Sequence, residues 1–339
     1  MGLEEPILVP SPAARINASI PTSLNCYRPM GSMINILFRI QMSSQASLDI
    51  LFFRGKLSSM EYVRLLRPKQ WTKNLLLFAG ALFSFSFHLD SLLRVLIGFI
   101  LFCGISGAVY IINDIADREV DRLHPTKKDR PIASGRVGVT QALIFAILLI
   151  LAVFVTSFLI DRGFFWIVII YLVINILYTF WLKHVVILDI FVIAFGFILR
   201  AVAGVEIIDV PLSKWFILTT LFLSLFLATS KRRHELLYIE EERRRKVVNL
   251  YTPKLLDVFN TIFSTSTIVM FALYIITEHP EYWVSMIFVI YGILRYLYLV
   301  YATGGGGEPE KILINDPYIL TDVILFILNI VIIYLWKGV

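Results

Sequence analysis

Four residues at the end of one apolar run, Asn113, Asp114, Asp117 and Asp121, follow the spacing N-D-x-x-D-x-x-x-D. On a helix, offsets of three, four and seven place side chains on one face, about a turn apart. Carboxylates that close repel one another unless a cation lies between them. Oxygen donors with no His or Cys beside them suit Mg²⁺, which binds through a few carboxylates plus substrate phosphates. A helix end standing in water is the ordinary explanation of a D-x-x-D pair. Here the aspartates follow an apolar span at once, where an Asp costs about 2.5–3.5 kcal/mol to insert. The cluster should therefore face a polar cavity. Asp114, Asp117 and Asp121 are the candidate metal ligands and catalytic residues, with Asn113 beside them.

Just downstream, "HPTKKDRPIASG" supplies Lys127, Lys128 and Arg130. Lys acts on phosphate as a point charge and Arg as a bidentate fork. Acidic groups for a divalent ion beside basic groups for phosphate are the parts of a diphosphate site. His124 reads as a turn residue, because no second His lies at metal-ligand spacing. A second charged stretch, "ATSKRRHELLYIEEERRRK", offers Lys231, Arg232 and Glu235 at a membrane exit. Its later part, Glu240 to Lys246, reads as a solvated helix with i,i+4 pairs. A third set is Asn175, Tyr178 and Lys183 at one helix end, with Asp189, Gly196 and Arg200 forming a polar and small stripe along the next. Arg200 lies near the outer end, where snorkelling is the alternative to a site role. Lys73 and Asn74 open the first span and complete the candidate substrate-binding residues.

These groups must be positioned by a membrane bundle. Of 339 residues, 58% are hydrophobic and 17% charged, with a mean hydropathy of +0.78. Soluble domains carry about 25% charged residues. Apolar segments recur at lengths near the 20 or so residues that span a bilayer. Nine are expected, at about 74–88, 92–112, 139–160, 164–182, 185–204, 214–230, 257–276, 282–302 and 317–336. Lys and Arg concentrate before the first span, in the second-to-third loop and in the sixth-to-seventh loop. The positive-inside rule then puts the N-terminus in the cytoplasm and the C-terminus outside, in a multi-pass cell-membrane protein. The net charge of +6 is explained by those loops and lipid headgroups; no nucleic-acid module is present. Two cysteines make no disulfide framework, and Cys103 reads as a packing residue. "GGGG" at 304–307 reads as a flexible break.

Residues 1–60 lack sustained periodicity and read as a largely disordered extension. Within it, "INILFRIQ" and "LDILFFRG" suggest short interfacial helices, and Met60 is a candidate functional start. Residues 61–339 form the expected catalytic domain. A transporter would more naturally carry charge at the midplane between repeats; here it gathers at one mouth.

From about Tyr62 onward the chain resembles the UbiA superfamily of intramembrane prenyltransferases, through nine spans, "NDIADREVD" after the second and a charged loop after the sixth. It departs from quinone-type members, which have a second aspartate-rich loop where this chain has "SKRRHE". It is similar instead to the decaprenyl-phosphate phosphoribosyltransferase branch. The shared words are "LLRPKQWTKNLLLFA", "YIINDIADREVDRLHPTKKDRPIASG", "LDIFVIAFGFILRAVAG", "TSKRRHEL" and "GGGEPEKILINDPYIL". The resemblance implies an all-α, nine-helix integral membrane bundle with a cytoplasmic-side active-site cavity. It implies transfer of 5-phosphoribosyl from phosphoribosyl diphosphate (PRPP) to a polyprenyl phosphate, with Mg²⁺ as cofactor, for cell-envelope pentose polymers. The rival is an aromatic prenyltransferase using a prenyl diphosphate. The oligomeric state stays open.

Overall fold

The computed structural model describes residues 59–84, 86–241 and 244–337. The extension through residue 58, with both short apolar segments expected in it, lies outside the described residues. Among the described residues every regular element is helical. The order is α1 (Ser59–Leu65), a 3₁₀ segment (Pro68–Leu76), α2 (Leu77–Phe83), α3 (Leu89–Ala116), α4 (Arg118–Leu123), α5 (Val139–Ile160) and α6 (Arg162–Phe180). A 3₁₀ turn (Leu182–His184), α7 (Leu188–Glu206), α8 (Lys214–Tyr238), a 3₁₀ turn (Lys246–Leu250) and α9 (Pro253–Glu278) follow. A further 3₁₀ turn (Pro280–Tyr282), α10 (Ser285–Ala302), α11 (Pro309–Asn315) and α12 (Pro317–Lys337) end the chain.

Starts are set by local chemistry. Asp161, Ser213 and Thr252 accept from the backbone N–H of Phe164, Phe216 and Leu255, capping α6, α8 and α9. Pro253 then occupies the first turn of α9, where its missing N–H costs nothing. Among the described residues seven helices, α3, α5, α6, α7, α9, α10 and α12, are long and apolar enough to cross a bilayer. The two other expected spans are different in kind. Residues 68–83 divide into a 3₁₀ stretch and a seven-residue helix, and α8 ends in Lys231, Arg232 and Arg233. Outward faces such as Leu148, Leu151 and Val155 on α5 are exposed and apolar, as lipid contact requires.

The short α2 is held deep in the bundle by absent side chains. A Cβ on Gly204 of α7 would meet the Leu77 carbonyl oxygen at 2.0 Å, and one on Gly80 would meet Gly204 at 2.6 Å. The two backbones therefore touch, the small-residue packing that membrane helices favour. The glycine run expected to be flexible is instead fitted onto α8. Gly304 and Gly306 have φ of 71° and 102°, and His234 Nδ1 lies 2.8 Å from the Gly304 carbonyl. A side chain on Gly307 would collide with the His234 ring.

Residues 240–246 also depart from expectation. The solvated helix expected there does not continue: α8 ends at Tyr238, and Lys246–Leu250 forms a 3₁₀ turn. Arg245 folds back instead, donating through its N–H to Glu235 and through its guanidinium to the Tyr178 hydroxyl. Two hydrogen bonds to the site outweigh weak i,i+4 pairs in water.

Candidate active site

Asp114 lies in the last turn of α3 and is 3% exposed; Asp121, on α4, is equally buried. Buried carboxylates need partners. Arg130 Nη1 donates to Asp114 Oδ1 (2.9 Å) and to Asp121 Oδ2 (2.5 Å), so one guanidinium nitrogen stands between two carboxylates. Arg67 donates to the same Asp114 oxygen and stacks on Tyr110, 5.1 Å from the ring centroid. Arg67 sits at φ 50°, ψ 64° immediately before Pro68, a left-handed backbone that non-glycine residues seldom adopt. Such a conformation persists only where the surroundings over-determine it; here the guanidinium is held at its edge by Asp114 and at one face by Tyr110.

The loop that delivers Arg130 is shaped locally. His124 Nδ1 accepts from the Thr126 N–H (3.2 Å), as a turn residue does. Arg122 Nε donates to the Ala133 carbonyl and Ser134 Oγ to that of Arg130. Lys127 is half-buried beside this cluster; burial holds its ammonium below the usual lysine range, against the pull of Asp121. Lys128 is exposed.

Asp117 goes elsewhere. The helix breaks there (φ −93°, ψ 6°), although the backbone bonds from Asp117 to Asn113 and from Asp121 to Asp117 continue. The expected single face is therefore kinked between Asp114 and Asp121. Asp117 accepts from Lys183 Nζ (2.8 Å) and from Asn113 Nδ2 (3.1 Å). Lys183 arrives from the 3₁₀ turn after α6, so the third set of candidates does meet the first. Beside it, burial and the Lys183 charge lower the affinity of His184 for a proton.

A second cluster forms around Arg232, 1% exposed. Its guanidinium donates to Asp189 (2.6 Å), Glu235 (2.8 Å) and the Tyr178 hydroxyl (3.4 Å). Tyr251 donates its hydroxyl to the other Asp189 oxygen (2.6 Å) and accepts from the Ile187 N–H, where φ is 71°. Burial and the bond to Asp189 push the Tyr251 hydroxyl above the usual tyrosine range. Lys231 is half-buried on the same helix end.

Arg200 does not snorkel. It is buried between α3, α6, α7 and the first 3₁₀ segment, donating to Asn74 Oδ1 (2.8 Å), Tyr171 Oη (2.7 Å) and the Gly196 carbonyl (2.7 Å). Asn74 passes the chain on to Ser106 and Cys103. Ser106 lies eight residues before Asp114 on α3, about 12 Å deeper at 1.5 Å per residue. Asn175 bonds the Tyr171 carbonyl, and Lys73 is half-buried beside Asn74. Asn74 and Arg200 thus bond to each other and to α3 and α6, and none of these hydrogen bonds links them to the carboxylates.

Among the described residues, no three His, Cys, Asp or Glu side chains converge on one metal position. The donor chemistry still suits a hard divalent cation. Asp114 and Asp121 share one point, that point is occupied by positive charge, and both contribute oxygen. Residues 75–311 match the family described as the UbiA prenyltransferase family. The chain belongs to this family. Its all-helical fold is the UbiA fold. A UbiA homologue from Archaeoglobus fulgidus, solved bound to DMAPP and Mg²⁺, superposes with a TM-score of 0.65 at 21% identity, covering 81% of this chain and 99% of that one. The decaprenyl-phosphate phosphoribosyltransferase of Corynebacterium glutamicum is 37% identical over 268 residues, 75% of this chain and 80% of its own length. That of Mycolicibacterium smegmatis is 36% identical over 275 residues, 75% and 86% respectively.

Arg67, Arg245 and Tyr251 join these side-chain clusters although spacing did not single them out. Arg67 and Arg245 look like ordinary loop charge. The one sequence signal for Arg67 is its place before a proline in "LLRPKQW".

Proposed function

We propose that this UbiA-family chain transfers the 5-phosphoribosyl group of PRPP to a polyprenyl phosphate, with Mg²⁺ bound, releasing diphosphate. The relatives named for that activity support the substrate pair. The observation that carries the reading is the surplus of cations around the carboxylates: Arg67, Arg130 and Lys183 hold Asp114, Asp121 and Asp117 in place, with Lys127 and Arg245 near. PRPP and the acceptor together bring a diphosphate and two monophosphates, which need more fixed positive charge than a prenyl diphosphate alone.

Asp114 and Asp121 would hold the Mg²⁺, with Asp117 as the further candidate. When bound, the ion offsets charge on the departing diphosphate. The bond from ribose C1 to the diphosphate oxygen breaks, the electron pair leaving with diphosphate, and an acceptor phosphate oxygen forms the new bond to C1. The acceptor is already anionic near neutral pH, so no strong general base is required. Arg67, Arg130 and Lys183 turn from carboxylate to phosphate, position both anions and reduce their mutual repulsion.

The membrane reading follows. The segment 68–83 and α8 complete nine crossings, the charged mouth opens to the cytoplasm, the N-terminus lies inside and the C-terminus outside. Residues 61–339 are the catalytic domain and 1–60 an extension to it. Purified protein with Mg²⁺ should move label from PRPP into polyprenyl phosphate and lose this with EDTA. Transfer only from a prenyl diphosphate to a phenolic acid would replace the reading with an aromatic prenyltransferase.

Lys183→Gln should raise KM for PRPP about tenfold with a smaller change in kcat, since a charge-assisted contact contributes about 1.5–3 kcal/mol at most. Partial rescue by Lys183→Arg in steady-state kinetics is expected; an unchanged KM would remove Lys183 from the donor site.

A further inference from the structure

Away from the carboxylates, a groove of about 630 Å³ lies between α9 and α10. One wall is small, Thr261, Ser264 and Thr265 of α9; the other is bulky, Leu294, Leu297 and Tyr301 of α10. The hydroxyls on the small wall are not asking for a ligand: Thr261 and Ser264 bond backbone carbonyls of their own helix. The groove thus presents a channel of apolar walls between two apolar helices that are each long enough to cross a bilayer.

Its mouth has a definite chemistry. Lys254 lies on the same α9 stripe as Thr261 and Thr265, at offsets of seven and eleven. It is exposed and makes no ion pair among the described residues. Arg233 reaches the mouth from α8 and stacks on Tyr301, 4.2 Å from the ring centroid, while donating to Asp257 (2.6 Å). Two cations therefore face one carboxylate, and the N-terminus of α9 adds its positive pole.

We propose that this groove holds one anionic phospholipid, its phosphate at Lys254 and Arg233 and an acyl chain between α9 and α10. Inside hydrocarbon the walls attract chain, not water, and the surplus positive charge at the mouth selects a net negative headgroup over a zwitterionic one. The site is separate from the Asp114 cluster, so it does not depend on the substrate reading.

Native mass spectrometry of the full chain in detergent, supplied with phosphatidylglycerol or phosphatidylcholine, tests it. Wild type should retain one phosphatidylglycerol per chain in preference to phosphatidylcholine. Lys254→Gln should weaken that retention about fivefold, the weight of one cation near an anionic surface. Thr265→Trp, which fills the groove from a lipid-facing position, should remove it. Equal retention of both lipids, or retention unchanged in both variants, overturns the proposal. So does displacement of phosphatidylglycerol by an equimolar polyprenyl phosphate, which would give the groove to the acceptor. A wild-type dimer that Thr265→Trp converts to monomer would give it to a second copy of the chain.

Discussion

Replacing Asp114 by Asn should lower phosphoribosyl transfer by at least about 10³-fold while leaving the protein folded. The side chain is buried, and one of its oxygens accepts from both Arg67 and Arg130. Asn keeps the shape but loses the charge and turns an amide towards two guanidiniums. In the proposed metal site the divalent cation would then have Asp121 as its remaining carboxylate at that point, and departing diphosphate would lose its main counter-charge. Losing a single fixed stabilising group of this kind costs about 10²–10³ in rate; here the metal's hold weakens as well. Stability should suffer less, because the Arg67 and Arg130 side chains are 23% and 25% exposed and water can take over part of their solvation. A drop of about 1–2 kcal/mol is expected where a sealed pair would lose about 3–5. Rates under saturating PRPP and thermal unfolding in detergent separate the two effects. Activity above a tenth of wild type would remove Asp114 from the centre of the reaction.

How much of this could be read from the sequence differs by kind of signal. The carboxylate cluster is local: Asp114, Asp117 and Asp121 lie within one stretch, and Arg130 is nine residues beyond, so spacing finds them. Hydropathy likewise finds α3, α5, α6, α7, α9, α10 and α12, each a continuous apolar run. It does not register that residues 68–83 divide into a 3₁₀ stretch and a short helix, with Arg67 left-handed before Pro68 and with Gly204 and Gly80 letting that helix sit deep in the bundle. Non-local partners were not legible. Arg67 meets Asp114 across 47 positions, Tyr251 meets Asp189 across 62, and Lys183 meets Asp117 across 66. No periodicity encodes such a pair. The polar and small stripe of Asp189, Gly196 and Arg200 is buried, yet its two charges serve different networks. The charge in "SKRRHE" divides in the structure, Arg232 turning inward to Asp189 and Arg233 to Asp257.

That division leads to the second large effect, on stability. Asp189→Ala should destabilise the protein by about 3–5 kcal/mol, the cost of removing one partner of a sealed ion pair. The Arg232 and Asp189 side chains are 2% and 0% exposed, so no water replaces the lost carboxylate. Glu235 would remain as the sole counter-charge on Arg232, and Tyr251 would lose the acceptor of its hydroxyl. Tyr251 in turn holds the Ile187 N–H at a positive φ, so the start of α7 should loosen too. If Arg232 is a bracing residue, Asp189→Leu combined with Arg232→Met should be more stable than Asp189→Ala, because a buried pair exchanged for apolar side chains of similar volume is often neutral. If Arg232 is instead a phosphate ligand, the double variant should fold well yet lose PRPP affinity by tenfold or more, a contact to a charged group being worth about 1.5–3 kcal/mol. Unfolding midpoints for the single and double variants, with KM for PRPP measured on the double, distinguish a strut from a ligand. Recovery of stability with KM within about threefold of wild type is the expected result, and it would leave Arg67, Arg130 and Lys183 as the cations that meet the donor.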